Sequence, residues 1–167
     1  MIDVTTYAIT SPFPEEYLPL MWGWLDEFRE QMVDDYCPKT FEEMVEKNKR
    51  DLAHGAKVYA VIGEAGVPVG VIWGELAGDD VYLGHLVFAR YALSAAEKMA
   101  ATRESLRRLF AAGARKVVWQ VLADNRAFLI FLRRIRAHVE GHLRDGTRRG
   151  GKLVDVVLMA SFPGDFA

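Results

Sequence analysis

Residues 122–146, LADNRAFLIFLRRIRAHVEGHLRDG, join a helical pattern to the pattern of a strand. Apolar residues recur at helical spacing and predict a helix that begins at Asp124 or Asn125 and buries one face. Arginines fill the other face, so the stretch is compatible with a nucleic-acid-binding helix, a solvated surface helix or the end of a cofactor site. The apolar positions that carry the spacing are Ala127, Phe128, Phe131, Leu132 and Ile135.

The chain before this stretch divides into helices and strands. DVTTYAIT alternates and predicts a first strand, and a helix with its apolar face at Met21, Trp24, Leu25, Phe28 and Met32 should follow. Thr40 with Glu43, and Ser94 with Glu97, have the spacing of a capping box, in which a hydroxyl and a carboxylate each satisfy a backbone N–H at a helix start. Three β-rich runs, KVYAVIG, VPVGVIWGEL and VYLGHLVFA, stand at hairpin spacing and predict an antiparallel meander.

The last part of the chain adds three strands around the opening stretch. KVVWQVLA is dense and apolar, as a central strand should be, and HVEGHLRDGTRRGGKLVDVVLMASF predicts two strands joined by a Gly- and Arg-rich loop. The order is strand, two helices, three strands, helix, strand, helix, two strands. It predicts an α/β (α+β) sheet with helices on both faces, in a single domain over residues 1–167.

Composition excludes several classes of protein. With 51% hydrophobic residues the chain should fold rather than be disordered. We expect a cytoplasmic protein, because neither a secretory signal nor a membrane-spanning run is visible. Cys37 is the single cysteine and the four histidines are scattered, so we expect no metal site. Residues 1–55 carry twelve acids and five bases, whereas residues 126–152 carry eight bases and two acids, a pattern typical of solvated faces or of a phosphate-binding segment.

The order of elements and the residues that end it resemble the GNAT superfamily of N-acetyltransferases over nearly the whole chain. The sharpest part is residues 122–146 followed by DVVLMA, which looks like the ribosomal-protein N-terminal acetyltransferase branch. There a strand ends in Asn, an amphipathic helix follows, and an EG-x-x-R strand leads to a closing strand. The matching positions here are Asn125, Glu140, Gly141 and Arg144.

The resemblance implies a mixed, mostly antiparallel sheet of six or seven strands with about four helices, in which the fourth and fifth strands splay. Acetyl-coenzyme A would lie in this opening and pair with the backbone of the fourth strand, as an added strand would. It would end at a helix start whose N–H groups hold its pyrophosphate. The cofactor-binding residues implied are Leu86, Val87, Phe88 and Ala89 on the strand, Ser94, Ala95 and Ala96 at the helix start, and Asn125.

The chain departs from the family pattern at three places. The usual Arg or Gln, Gly, and Gly or Ala of the phosphate loop fall on Arg90, Leu93 and Ala95, so the first glycine is missing, and a Glu97 carboxylate would compete for the same N–H groups. Leu132 stands where many members have a Tyr that protonates the departing thiolate. The family's Gly-Phe after the helix is here Arg136-Ala137.

Acetyl transfer to an amine needs a base for the ammonium proton and donors for the developing oxyanion. Glu75 and His85 are the candidate catalytic residues, because the resemblance puts the substrate amine near them. An isolated His in a strand is otherwise a half-buried structural residue, and Asn125 is otherwise a helix cap alone.

The sequence is compatible with three functions. The first is an acetyl-coenzyme-A-dependent N-acetyltransferase acting on an amine of a protein or small molecule, with an acidic first half suited to a cationic acceptor. The second is a catalytically inactive GNAT-like binding or structural protein, for example one encoded by a phage or associated with a virion. The third, nucleic-acid binding, ranks last because no recognised motif accompanies the charge. The sequence leaves open whether copies of the chain form a homo-oligomer.

Overall fold

The computed structural model describes residues 5–9, 15–29, 34–63 and 66–166. The predicted order of helices and strands is confirmed within these ranges, and the expected continuation of the first helix to Met32 lies outside them. Short 3₁₀ helices precede α1 and follow β7, at Glu15–Tyr17 and Pro163–Phe166. The main elements are β1 (Thr5–Ile9), α1 (Leu18–Glu27), α2 (Phe41–Ala53), β2 (Lys57–Ile62), β3 (Pro68–Gly78), β4 (Val81–Phe88), α3 (Ala95–Ala111), β5 (Lys116–Leu122), α4 (Arg126–Arg134), β6 (His138–Arg149) and β7 (Lys152–Ser161).

The strands form one seven-stranded sheet in the order β1-β2-β3-β4-β5-β7-β6. The pairs are antiparallel except β4 with β5, which run parallel. Helix α3 connects these two parallel strands, which lie at the centre of an otherwise antiparallel sheet. The predicted mixed, mostly antiparallel sheet is confirmed.

Alternate side chains of the central strands pack on opposite faces of the sheet, as the period of two requires. One face carries Val58, Val71 and Val87, which cluster with residues of α1 and α2. The other face forms the larger core and contacts α3 and α4. Helices therefore cover both faces, as predicted. The larger core includes Tyr59, Ile72, Leu86, Leu106, Trp119 and Leu132.

Strands β4 and β5 separate soon after they meet. Their pairing covers only Val81, Tyr82 and Leu83 of β4, opposite Lys116, Val117 and Val118 of β5. On its other edge, β4 stays paired with β3 from Val81 to Phe88. The end of β4 is therefore held on one side and open on the other, and the predicted splaying is confirmed.

The two expected capping boxes differ in the structure. At α3 both bonds form, from Glu97 N to Ser94 Oγ and from Ser94 N to Glu97 Oε2. At α2 the Thr40 hydroxyl accepts from Glu43 N as predicted, but the Glu43 carboxylate accepts from Lys39 N instead of Thr40 N. The prediction of a reciprocal capping box at α2 was therefore wrong in one of its two bonds, because the Glu43 carboxylate accepts from the residue before the N-cap and not from the N-cap itself.

Candidate functional site

A cavity of about 150 Å³ lies between α2 and the sheet, beside the point where β4 and β5 separate. We call it the α2 cavity. Apolar and aromatic side chains form most of its wall, and its polar groups come from α2 and from strands β3, β4 and β5. The lining includes Met21, Trp22, Leu25, Arg29, Cys37, Pro38, Met44, Lys47, Asn48, Asp51, Trp73, Glu75, His85, Leu86, Gln120 and Phe128.

The two residues predicted to be catalytic, Glu75 and His85, meet in this cavity. Trp73 and His85 are paired across β3 and β4, and Glu75 lies two residues further along β3, on the same face of the sheet. Oε1 of Glu75 is 3.1 Å from Nε2 of His85 and 2.5 Å from Nζ of Lys47. Lys47 also donates to Oδ2 of Asp51, again at 2.5 Å. The carboxylate therefore lies between a lysine and an imidazole.

These neighbours decide the charge of Glu75. Burial by itself raises the pKa of the carboxyl group, but the adjacent His85 and Lys47 side chains outweigh it and lower the pKa to about 2. Burial acts on Lys47 too, and the hydrogen bonds to Asp51 and Glu75 again outweigh it and raise its pKa. Glu75 is therefore ionised at neutral pH and is a weak base. Its geometry suits a residue that orients His85 or an ammonium group.

His85 packs between Trp73 and Glu75 in this cavity. Its ring stacks on the indole of Trp73, with ring centres 4.9 Å apart and 17° between the planes. The Nε2 atom is 3.1 Å from the Glu75 carboxylate but is not aligned for a hydrogen bond, so this buried nitrogen has no hydrogen-bond partner among the described residues. A buried polar atom without a partner costs free energy unless a ligand or water satisfies it.

A second cavity, of about 220 Å³, occupies the opening between β4 and α4. We call it the β4–β5 slot. It shares Leu86 and Phe128 with the α2 cavity, so the two spaces meet at these side chains. The slot is lined by Phe28, Leu86, Val87, Phe88, Lys98, Asn125, Ala127, Phe128 and Phe131.

The backbone of β4 turns only some of its groups toward the slot. Ala89 N donates to Val69 O, so the alternation of an antiparallel pair also directs the backbone groups of Val87 to β3. Leu86 and Phe88 are one residue out of phase, and their N–H and C=O groups point to the open edge. The structure therefore corrects the prediction that the backbones of Val87 and Ala89 would pair with a ligand, although the Val87 side chain lines the slot.

Asn125 ends the slot at the start of α4. Its side chain accepts a hydrogen bond from Phe128 N at 3.2 Å, which is the predicted helix cap. The residue is half-buried and lines the slot. Capping and contact with a bound molecule are therefore compatible at this position.

The start of α3 offers fewer donors than the resemblance implies. The Ser94 N–H already donates to the Glu97 carboxylate at 2.7 Å, and this bond is the main cause of the lowered pKa of Glu97. Ala95 and Ala96 open the helix, where N–H groups have no intrahelical acceptor. Leu93, at the position of the missing glycine, is buried in the larger core. Two of the three predicted phosphate-binding positions thus keep available N–H groups.

Arg90 points to α1 instead of being free for a phosphate. Its Nη1 atom is 3.1 Å from Oε1 of Glu27, and its guanidinium lies 5.4 Å from the ring centre of Phe28. A bound phosphate would have to draw it away from the Glu27 carboxylate.

The structure shows the surroundings of the other two departures from the family pattern. Leu132 is 0% exposed and belongs to the larger core, so it contacts neither cavity. Arg136 has φ +71°, a left-handed conformation that favours glycine. Ala137 after it is buried. The backbone at this corner thus keeps the shape that the family's glycine would adopt.

The arginines of the opening stretch lie on a solvated face. Arg126, Arg133, Arg134 and Arg136 are all exposed, whereas Phe128 and Phe131 pack against the core. This arrangement agrees with a solvated surface helix, one of the three interpretations of the stretch.

Cys37 shows no sign of activation. Burial raises the pKa of its thiol, and its Sγ atom is 3.5 Å from Oδ1 of Asp34. Among the residues that the structure describes, no group of three or more His, Cys, Asp or Glu side chains is arranged to hold a metal ion. No helix in the described ranges is long and apolar enough to cross a membrane.

Sequence reasoning missed Lys47, Asp51 and Gln120. Lys47 and Asp51 stand four residues apart, a spacing that predicts a helical ion pair, but nothing in the sequence brings Lys47 to Glu75, 28 residues away. Gln120 is a polar residue in an apolar strand, which is the one signal that could have identified it. It lines the α2 cavity because it alternates with the buried Trp119.

Comparison with known proteins supports the fold. No family model and no curated protein sequence matches the chain. The spermidine N-acetyltransferase of Vibrio cholerae, solved with CoA and spermine, superposes with a TM-score of 0.80 at 14% identity, covering 98% of this chain and 97% of that chain. A putative acetyltransferase of Acinetobacter baylyi gives a TM-score of 0.78 at 11% identity, covering 95% and 92%.

These similarities confirm the GNAT fold class, and at this level of identity they show the fold alone. The solved structures named above include spermidine and spermine N-acetyltransferases, and none of them supports the finer assignment to the ribosomal-protein branch.

Proposed function

We propose that this protein is an acetyl-coenzyme-A-dependent N-acetyltransferase that acetylates a primary amine of a small molecule or protein. The separation of β4 from β5 carries the proposal. It leaves the backbone groups of Leu86 and Phe88 without a strand partner on that edge, and amides of the pantetheine arm can satisfy them as a strand would. Similar solved structures include an N-acetyltransferase with CoA bound.

The meeting point of the two cavities is where the reacting atoms would come together. The arm in the β4–β5 slot would bring its thioester to Leu86 and Phe128, and the acceptor amine would enter from the α2 cavity. His85 would accept a proton from the ammonium group. The neutral nitrogen then attacks the thioester carbon, the oxyanion is stabilised by a backbone N–H of the open edge, and the C–S bond breaks.

The leaving thiolate then needs a proton. Since Leu132 cannot donate one, the protonated His85 would return its proton to the sulfur, directly or through water. The attacking nitrogen carries a second proton that it must lose to become an amide, and His85 would then accept this proton and release it to solvent. Glu75 stays ionised throughout, because its pKa is about 2, and it holds the positive charge that His85 carries between the two transfers.

Isothermal titration with acetyl-coenzyme A and with CoA tests the first step. Ala127 lines the slot, so Ala127→Phe should fill it and weaken binding by about tenfold or more. Ile130→Phe is the matched control, because Ile130 lies on the same helix, is 49% exposed and does not line the slot. Absence of heat from the wild-type protein at millimolar cofactor would remove the proposal.

One observation favours the second candidate, an inactive GNAT-like binding or structural protein. The Glu97 carboxylate occupies the Ser94 N–H, which a pyrophosphate would need. Glu97→Gln removes the negative charge and should tighten CoA binding if the protein is an enzyme with a weakened phosphate site. If neither form binds CoA, and light scattering shows a large assembly, the structural role is favoured. A monomer that turns over acetyl-coenzyme A excludes it.

A further inference from the structure

The α2 cavity carries only one net negative charge among the described residues, although the first part of the chain is acidic. Its carboxylates are Asp51 and Glu75, and both are held by the single ammonium group of Lys47 at 2.5 Å. Arg29 also lines the cavity, but Asp26 outside the cavity balances its charge. One negative charge matches one ammonium group of an acceptor. A second ammonium group therefore gains little from the field of this cavity.

The acidic side chains of α2 that lie outside this cavity adjoin it. Glu42, Glu43 and Glu46 line a neighbouring depression together with Lys39 and Arg50, and this depression shares Cys37, Pro38 and Lys47 with the α2 cavity. None of the three glutamates lines the α2 cavity itself. The sequence-based expectation of an acidic acceptor cleft therefore stays a prediction for the surroundings of the cavity, whereas inside it an acceptor would meet Asp51 and Glu75.

Arg29 adds no free charge to the interior. Its Nη1 atom donates to the Pro38 carbonyl at 2.9 Å and its Nε atom to Asp26 at 3.1 Å. The guanidinium also lies 4.8 Å from the ring centre of Trp22, a cation–π distance. These contacts fix Arg29 as part of the wall.

The rest of the wall is mainly apolar and suits a ring, apart from the amide side chains of Asn48 and Gln120. Trp22, Trp73 and Phe128 contribute aromatic faces, and Met21 and Met44 contribute flexible thioethers. A cavity of about 150 Å³ with such walls is large enough for one benzene-sized ring. His85 stacks on Trp73 and lines the same cavity, so an amine attached to that ring would lie beside it.

From these features we infer that the acceptor is a monoamine on a short linker from one aromatic or similarly sized apolar group, and that Lys47 selects it against polyamines by engaging both Asp51 and Glu75. The inference rests on the proposed function, since it names the acceptor of that same site. It separates this chain from the similar solved structures whose names refer to spermidine.

Binding of the acceptor can be measured without cofactor. Titration of the wild-type protein with 2-phenylethylamine and with spermidine, followed by tryptophan fluorescence and by calorimetry, should give tighter binding of 2-phenylethylamine, by about tenfold or more. Equal or tighter binding of spermidine would overturn the inference. This readout stands even if CoA does not bind, so failure of the proposed function is seen separately, in the CoA titration.

Turnover gives a second comparison. With acetyl-coenzyme A, kcat/KM measured by release of free thiol and by mass of the product should be about tenfold higher or more for 2-phenylethylamine than for spermidine. A higher value for spermidine would contradict the inference.

Lys47→Met tests the specificity residue, because it keeps the apolar stem and removes the ammonium group. The cavity then carries two net negative charges on two disengaged carboxylates, and the preference should shift toward spermidine by about tenfold. Lys49→Met is the matched control, since Lys49 is close in sequence, has a side chain that is 54% exposed and does not line the cavity. An unchanged preference in a Lys47→Met protein with wild-type circular dichroism would contradict the role of Lys47.

Discussion

Gly84 occupies the point at which β4 leaves β5, one residue after the last pair at Leu83. A Cβ atom at position 84 would lie 2.7 Å from Cγ1 of Val117 and 2.9 Å from Cζ3 of Trp119. Trp119 is 1% exposed, and its Nε1 atom donates to Ser161 Oγ at 3.1 Å, so it has little room to move. Gly84→Ala should therefore overpack the core where the sheet divides.

The size of the effect follows from the contacts. Overpacking a dense core by one methyl group costs roughly 1–3 kcal/mol. For a domain of this size each 1 kcal/mol lowers the melting temperature by roughly 2–4 °C, so Gly84→Ala should melt roughly 2–12 °C below the wild type. The intrinsic gain from replacing a strand glycine by alanine acts in the opposite direction and has to be subtracted.

Gly141→Ala supplies that correction. Gly141 lies in β6, and a Cβ atom there would have no heavy atom within 4 Å. Thermal melts and urea denaturation followed by circular dichroism should show Gly84→Ala to be less stable than both the wild type and Gly141→Ala. If Gly84→Ala has the same melting temperature as the wild type, the close approach between residue 84 and the side chains of β5 is not a constraint and the reasoning is refuted.

Three further substitutions test the site and its support. The pKa of Glu75 in the folded protein is lowered to about 2, from about 4.5 in the unfolded chain. The ionised carboxylate therefore stabilises the fold above about pH 4.5, and this contribution is lost as the pH falls toward about 2. Glu75→Gln should lower the free energy of unfolding by up to about 3 kcal/mol at pH 7 and by less at pH 3, as measured by urea denaturation. Asn125→Ala should lower the free energy of unfolding by about 1 kcal/mol through loss of the α4 cap, whereas Asn125→Asp should preserve it in thermal melts. Trp119→Phe should cost about 1–3 kcal/mol because Ser161 Oγ loses its buried donor, and a double-mutant cycle with Ser161→Ala should recover part of that cost.

Local patterns in the sequence were sufficient for most of the fold. The period-two runs predicted the strands and the capping box at Ser94 marked the start of α3, because these features depend on neighbours within a few residues. The separation of β4 from β5 came from the family resemblance alone. No periodic pattern in the sequence indicates this separation, since it depends on which strands pair and over how many residues.

The candidate site was predicted only in part. Glu75 and His85 were identified and do meet, but their environment comes from α2, through Lys47 and Asp51. Such contacts depend on how a helix packs on a distant strand, which a single sequence does not specify. The charge of the first 55 residues did not identify these contacts for the same reason, because an acid's position in the chain does not say which side of a helix reaches the cavity.

The geometry of β4 explains why both halves of the proposed reaction come together. The strand is held along its length by β3, and its alternation sends the side chain of His85 into the α2 cavity while the backbone of Leu86 faces the β4–β5 slot. Adjacent residues of a strand are about 3.3 Å apart along its axis. A proton acceptor for the amine and a backbone donor for the thioester are thus positioned by one rigid segment. Because a slip of one residue would exchange the two directions, the pairing of β4 with β3 constrains the chemistry as strongly as the identity of either residue.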